Sequence, residues 1–493
     1  MKTLIRTIAP QAWRATLLCS ALTMGVAGCG GGGAQAERTT GAQGASTDTT
    51  TQQALAISEP KLGAPQTLDT GASGEPRDLR LARSATGAVF AVWRAYDGVR
   101  HNLWANRYNP ATNAWGTAGL IENTNADIVE FDVQADALGG SMAVWREVDL
   151  SGYPKQIMAA RYNASTQSWP AMSTLVAPSD TPPYLAVDPK GNALVFWGQE
   201  SSRYYDAQAD QWLPPTIISR DNEGSGFHFG VRGTIDAAGN GFGVYTLSRS
   251  ETRTNVAGNF FNGTTRQWDD PPNPDEIGVL YLVPNGFLSG TNQNYFLSPD
   301  NKGNFFVAWE GWIVDETPVT VSLRAASFST ANKSWVPAKN IVAGTPGDNT
   351  ALQRVIADTS SNALVLWTRR EGSRSALESL SVGITDLATT AMQIVDQDLG
   401  GNASQADAGF DACGGAIAVW LQEEAVGKGG ASRINVGINR YRVNGNQWGK
   451  ASLLENQPGE ARSPRVVVAP DGKAHVAWIQ AEGNTYRVKT LRL

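Results

Sequence analysis

The 493-residue chain is poor in the side chains that most enzyme chemistry draws on, with three Cys, three His and only 17% charged residues. His101, His228 and His475 stand far apart and show no metal-ligand spacing. No nucleophile elbow, phosphate-binding glycine loop or paired Cys–His context occurs. No catalytic residue, metal or cofactor is therefore expected. The formal net charge of −6 argues against a nucleic-acid partner. Beyond the first thirty residues no apolar run is long enough to cross a bilayer, and the repeating part of the chain has no helical periodicity.

Glycine and tryptophan are abundant instead, at 52 and 16 residues. That bias fits a large β protein with many turns. A phrase made of a turn, small and β-branched residues and a closing aromatic occurs eight times, ending at Trp93, Trp145, Trp197, Tyr245, Trp309, Trp367, Trp420 and Trp478. These aromatics are 48 to 64 residues apart. Between copies come an alternating segment, a polar turn and a second aromatic, as in RYNPATNAW, RYNASTQSW and FFNGTTRQW; the sixth unit has Met392 in place of the Trp. Four short strands per unit predict an all-β fold, an eight-bladed β-propeller with four antiparallel strands per blade. A count of seven follows only if the degenerate fourth or sixth unit merges with a neighbour.

The eighth unit stops after three strands at Leu493 and leaves an outer edge open. KLGAPQTLDTG, near the other end, reads like the fourth-strand phrases GTAGLIEN and GKASLLEN. Residues 61–70 are therefore expected to close the ring as the fourth strand of blade eight.

The N-terminus carries an address. Lys2 and Arg6 precede the short apolar segment ATLLCSALTMGVA, and Val26-Ala27-Gly28-Cys29 resembles the lipobox of bacterial lipoproteins. The resemblance implies that residues 1–28 are a signal peptide and that Cys29 carries lipid. Gly30, where an Asp would retain a lipoprotein at the inner membrane, implies passage to the outer membrane, in either leaflet. Residues 29–58 are rich in Gly, Thr, Ala and Gln and read as a disordered tether spanning roughly 30 Å, which leaves 59–493 for the propeller. After cleavage Cys413 would be the one cysteine besides Cys29, so no disulfide is expected.

The YNPATNAW phrase resembles the kelch repeat in layout, although the kelch Gly-Gly pair after the second strand is replaced here by Trp. In leader and blade number the chain is similar to the eight-bladed outer-membrane propeller lipoproteins that assist barrel assembly. That similarity is one of architecture.

The recurring Trp invites a sugar-stacking role, but large aromatics in register are better suited to filling the wedges between blades. The Asp–Gly turns such as DPKGN lack the dense carboxylates of a calcium loop and read as tight hairpins. Trp104 and Trp312 stand outside both aromatic series, and Trp312, in EGWIVDE, is expected in a loop as a ligand contact. A further pattern is positional. Seven residues before the turn Gly, or its equivalent Ser361, stand Arg80, Arg232, Arg354 and Arg465, expected at the start of innermost strands as carboxylate binders. Together these features predict a lipid-anchored envelope module that binds or scaffolds protein partners or glycans. The alternative is a carbohydrate-active enzyme, sialidase-like or another glycoside hydrolase or lyase, working on the channel-mouth face.

Overall fold

Each sequence repeat forms one antiparallel sheet, and the eight sheets are the blades of a propeller. The computed structural model describes residues 63–493 except 200, 219–226, 251–252, 270–280, 289–294, 314–319, 346–348, 412, 425–432 and 456. The leader and tether expected over residues 1–28 and 29–58, with Cys29, therefore lie outside the described residues, as do parts of the loops between second and third strands.

Blade 1 sets the plan. Its strands run Glu75–Arg83, Val89–Tyr96 and His101–Asn109, with an outer edge made of two short pieces, Ala114–Trp115 and Gly119–Leu120. Outer strands vary in length, from two-residue pieces in blades 1, 3 and 7 to the nine-residue Ser334–Val342 in blade 5. Second strands are buried on both faces, wholly so over 89–93 and 193–197. Each blade has a neighbour on either side, so an apolar run replaces the usual alternation.

Blade 8 is built from both ends of the propeller. Gln66–Thr67 pairs antiparallel with Thr485–Arg492, Gln66 opposite Thr490 and Thr67 opposite Lys489. The Leu68 N–H then donates to the Val488 carbonyl at 2.8 Å, and the Leu68 side chain is buried. The ring is closed as the repeat wording predicted.

The seams between blades hold the core. Each second-strand aromatic packs back onto the preceding blade: Trp145 meets Val92 and Leu103 of blade 1, Trp420 meets Leu364 and Leu377 of blade 6, and Trp93 meets Ile479 and Val488 of blade 8. All eight of these aromatics are buried. Their polar edge is accommodated by local sequence, since the residue two positions on accepts the indole N–H in Trp145–Glu147, Trp420–Gln422 and Trp478–Gln480, at 2.8–3.0 Å. Gly437 is needed because a Cβ there would sit 2.4 Å from the Trp420 ring.

The turn aspartates are spent inside their own hairpins. Asp188 Oδ1 accepts the N–H groups of Lys190 and Asn192, and Asp236, Asp300, Asp358 and Asp411 repeat the pattern.

Two expectations, for Trp312 and Cys413, are corrected. The Trp312 backbone lies within the strand Asn304–Ile313, opposite Val321, and not in a loop, because pairing with Thr320–Ser329 runs the full length of that hairpin; its side chain is outside the described residues. Trp104 is core, opposite Trp93. Cys413 is disulfide-bonded. The expectation of a lone thiol removed Cys19 with the leader and gave Cys29 to lipid, which left Cys413 without a partner.

Candidate functional site in the central channel

The counting rule that selects the four arginines selects one residue from every blade. Taken in ring order these are Arg80, Asp132, Tyr184, Arg232, Phe296, Arg354, Asp407 and Arg465. Each pairs across its hairpin with the residue just before the second-strand aromatic, as Arg80 does with Val92, Asp132 with Val144 and Arg465 with Ala477. Identical register puts all eight side chains at one level of the channel, and all eight line a single cavity of 630 Å³.

The arginines stand in the interior of their strands, not at the start. Register shifts just before the ring position mark β-bulges in blades 1, 2, 4, 6, 7 and 8. In four of them the residue two before the ring takes positive φ: Asp78 at 44°, Gly230 at 61°, Gln405 at 50° and Ser463 at 49°. A bulge inserts one residue and re-aims the side chains beyond it, and non-glycine residues occupy this region only at a cost. Here the bulges carry every charged member of the ring. Tyr184 and Phe296, by contrast, sit on the short inner strands Tyr184–Val187 and Tyr295–Pro299, which have no such shift.

The ring therefore has two unlike halves. From blade 6 round to blade 2 it reads Arg354, Asp407, Arg465, Arg80, Asp132; blades 3 to 5 supply Tyr184, Arg232 and Phe296. In the second half Arg232 stacks on Tyr184 with Cζ 4.4 Å from the ring centroid, and it donates to the Tyr184 hydroxyl at 3.2 Å and the Tyr295 carbonyl at 3.0 Å. In the first half Arg354 Nε lies 3.1 Å from Asp407 Oδ1. Among the described residues, Arg80, Arg232 and Arg465 have no carboxylate partner: Arg80 and Arg465 donate only to the adjacent backbone carbonyls of Leu79 and Pro464.

The electrostatics follow from that crowding. Burial, then the like charges of Arg80 and Arg354, push Arg465 down to about 10 against the opposing pull of Asp407. Burial also pushes Asp132 up, opposed first by the Arg80 charge and then by the N–H groups of Leu185 and Val133. Both ring carboxylates bridge blades: Asp132 Oδ2 accepts from Leu185 N–H at 3.1 Å and Asp407 Oδ2 from Val466 N–H at 3.0 Å. Glu130, also lining the cavity, is bound by Arg146 at 2.6 Å. The net result is a polar, partly aromatic channel with an excess of guanidinium groups, suited to a bidentate hold on an anion.

No family model and no curated protein sequence matches this chain. Among solved structures it is similar to the Dos1 propeller, at 8% identity over 87% of this chain and 93% of that one, TM-score 0.48. It is also similar to a fungal alcohol oxidase of the AA5 family in complex with copper (10%, over 88% and 76%, TM-score 0.44). A PL25 ulvan lyase bound to its sugar is similar at 11%, over 87% and 93%, TM-score 0.41. The fold rests on the sheet topology above, and the chemistry rests on the channel.

Proposed function

We propose that this chain is a binding module of the bacterial envelope, held by lipid on Cys29 through a tether over residues 29–58, whose channel takes the carboxylates of an acidic glycan. The observation that supports this reading is the set of three ring arginines, Arg80, Arg232 and Arg465, without carboxylate partners among the described residues. A guanidinium in a confined site is best satisfied by a planar anion, and the Tyr184–Phe296 side offers rings on which a sugar face can lie.

A protein ligand finds support elsewhere. Tyr96 and Val99 in blade 1 and Leu150 and Tyr153 in blade 2 are exposed on neighbouring loops of one face. Glycan cleavage in the same channel is the second reading, and it draws on Asp132, whose raised affinity for a proton suits a general acid. Both Asp132 oxygens already accept backbone N–H groups, however, which favours a structural carboxylate and hence binding.

The test is a panel of acidic and neutral polysaccharides presented to the full-length protein and to the Arg232→Ala/Arg354→Ala variant. Retention of acidic polymers alone, lost in the variant, supports the reading. Equal retention of neutral polymers, or no retention at all, contradicts it and moves the search to protein partners.

A further inference from the structure

A second cavity, of 350 Å³, lies between the outer edge of blade 1 and the turn that follows the third strand of blade 2, and shares no lining residue with the channel. Its floor is Arg107, on the third strand of blade 1. The guanidinium Cζ is 5.7 Å from the Tyr162 ring centroid and 5.8 Å from that of Phe90. The next blade repeats the arrangement: Arg161 sits 5.7 Å over Tyr205 of blade 3. There the charge is balanced, because Arg161 Nη2 lies 3.4 Å from Asp136, the turn carboxylate of its own blade.

Blade 1 lacks that carboxylate. Ser84 occupies the turn position held by Asp136, Asp188, Asp236, Asp300, Asp358 and Asp411 in blades 2 to 7. Its hydroxyl still caps the turn, accepting the Thr86 N–H at 3.2 Å, so only the charge is missing. Arg107 consequently has an aromatic seat and no counter-ion among the described residues, and its Nε is buried without a partner.

The aromatic wall is completed by half-buried Trp169 of blade 2, edge-on to Tyr162 at 5.4 Å and to Phe90 at 6.3 Å. An unpaired cation beside aromatic walls in a small cleft specifies a ligand with a carboxylate and an apolar face.

We infer that the cleft between blades 1 and 2 is a separate binding site for a single uronate unit, with the carboxylate on Arg107 and the sugar face against Trp169. The site does not depend on the channel reading.

The experiment uses the full-length protein labelled with 5-fluorotryptophan, titrated with D-glucuronate and, separately, with glucose. Glucuronate should shift the Trp169 resonance and glucose should not. Arg107→Gln should weaken the response at least tenfold. Ser84→Asp, which restores the carboxylate that blades 2 to 7 carry, should weaken it comparably while leaving every ligand-contacting group in place. Arg80→Gln/Arg465→Gln in the channel should leave it unchanged, which separates this site from the other. No shift with glucuronate, an equal shift with glucose, or full binding retained in both Arg107→Gln and Ser84→Asp would overturn the inference.

Discussion

Arg354 Nε lies 3.1 Å from Asp407 Oδ1, and this is the one ring arginine with a carboxylate partner among the described residues. The Arg354 side chain is 44% exposed, so the pair contributes little to stability. Its consequence is for binding, since Asp407 competes with any anionic ligand for Arg354. Asp407→Asn keeps an oxygen for the Val466 N–H and removes the competing charge. Affinity for an acidic polysaccharide should rise about three- to tenfold, with the unfolding midpoint changed by little. An unchanged or lower affinity in equilibrium titration would place the ligand elsewhere.

The clasp is testable through Leu68, buried where residues 63–70 join blade 8. Leu68→Ala should cost about 2–5 kcal/mol in denaturant unfolding, as core truncations do. Gln66→Ala, at an exposed neighbour in the same strand, should change stability by about 0.5 kcal/mol or less. Equal effects would mean that the N-terminal strand is not what closes the ring.

Acid sensitivity should trace to His475. It is fully buried, 4.4 Å from the Tyr108 ring and 5.9 Å from Trp115, its ring nitrogens have no hydrogen-bond partner, and it stands opposite Arg492. Burial, with the Arg492 charge second, pushes its pKa down to about 4. The unfolded chain protonates this imidazole near 6.5, so between those values the unfolded state binds more protons. Stability is therefore full above about pH 6.5 and lost as pH falls towards 4, by about 3 kcal/mol. Phe306 fills the same register position in blade 5, so His475→Phe should fold and lose this dependence. Urea midpoints at pH 7 and pH 4.5 decide it; the same acid shift in both proteins would acquit His475.

Much of this architecture was legible because a propeller repeats its own grammar. The eight second-strand aromatics fixed the blade count, and the likeness of KLGAPQTLDTG to the fourth-strand phrases located the clasp before any pairing was seen. The site was half legible. Counting back from the turn found Arg80, Arg232, Arg354 and Arg465 because the search was for one residue type. The same count reaches Asp132, Tyr184, Phe296 and Asp407, and a search by position would have found them. The bulges at Asp78, Gln405 and Ser463 left no signal, because positive φ at a non-glycine residue is imposed by tertiary packing and not by local preference. Trp312 was misplaced for a related reason: EGWIVDE is polar enough to read as a loop, yet its hairpin extends beyond the blade core. The unbalanced Arg107 needed two aligned blades, since a serine for an aspartate means nothing until Asp136 shows what the position does.

The central claim is that the channel ring binds an anion through its unpaired arginines, Arg80 and Arg465 on one side and Arg232 on the other. The most direct measurement is calorimetric titration of a short polygalacturonate into the full-length protein and into its Arg80→Gln/Arg465→Gln variant, at low and at moderate salt. The account predicts binding that weakens with salt and falls at least tenfold in the variant while the unfolding midpoint holds. Equal affinity in the two proteins would contradict it.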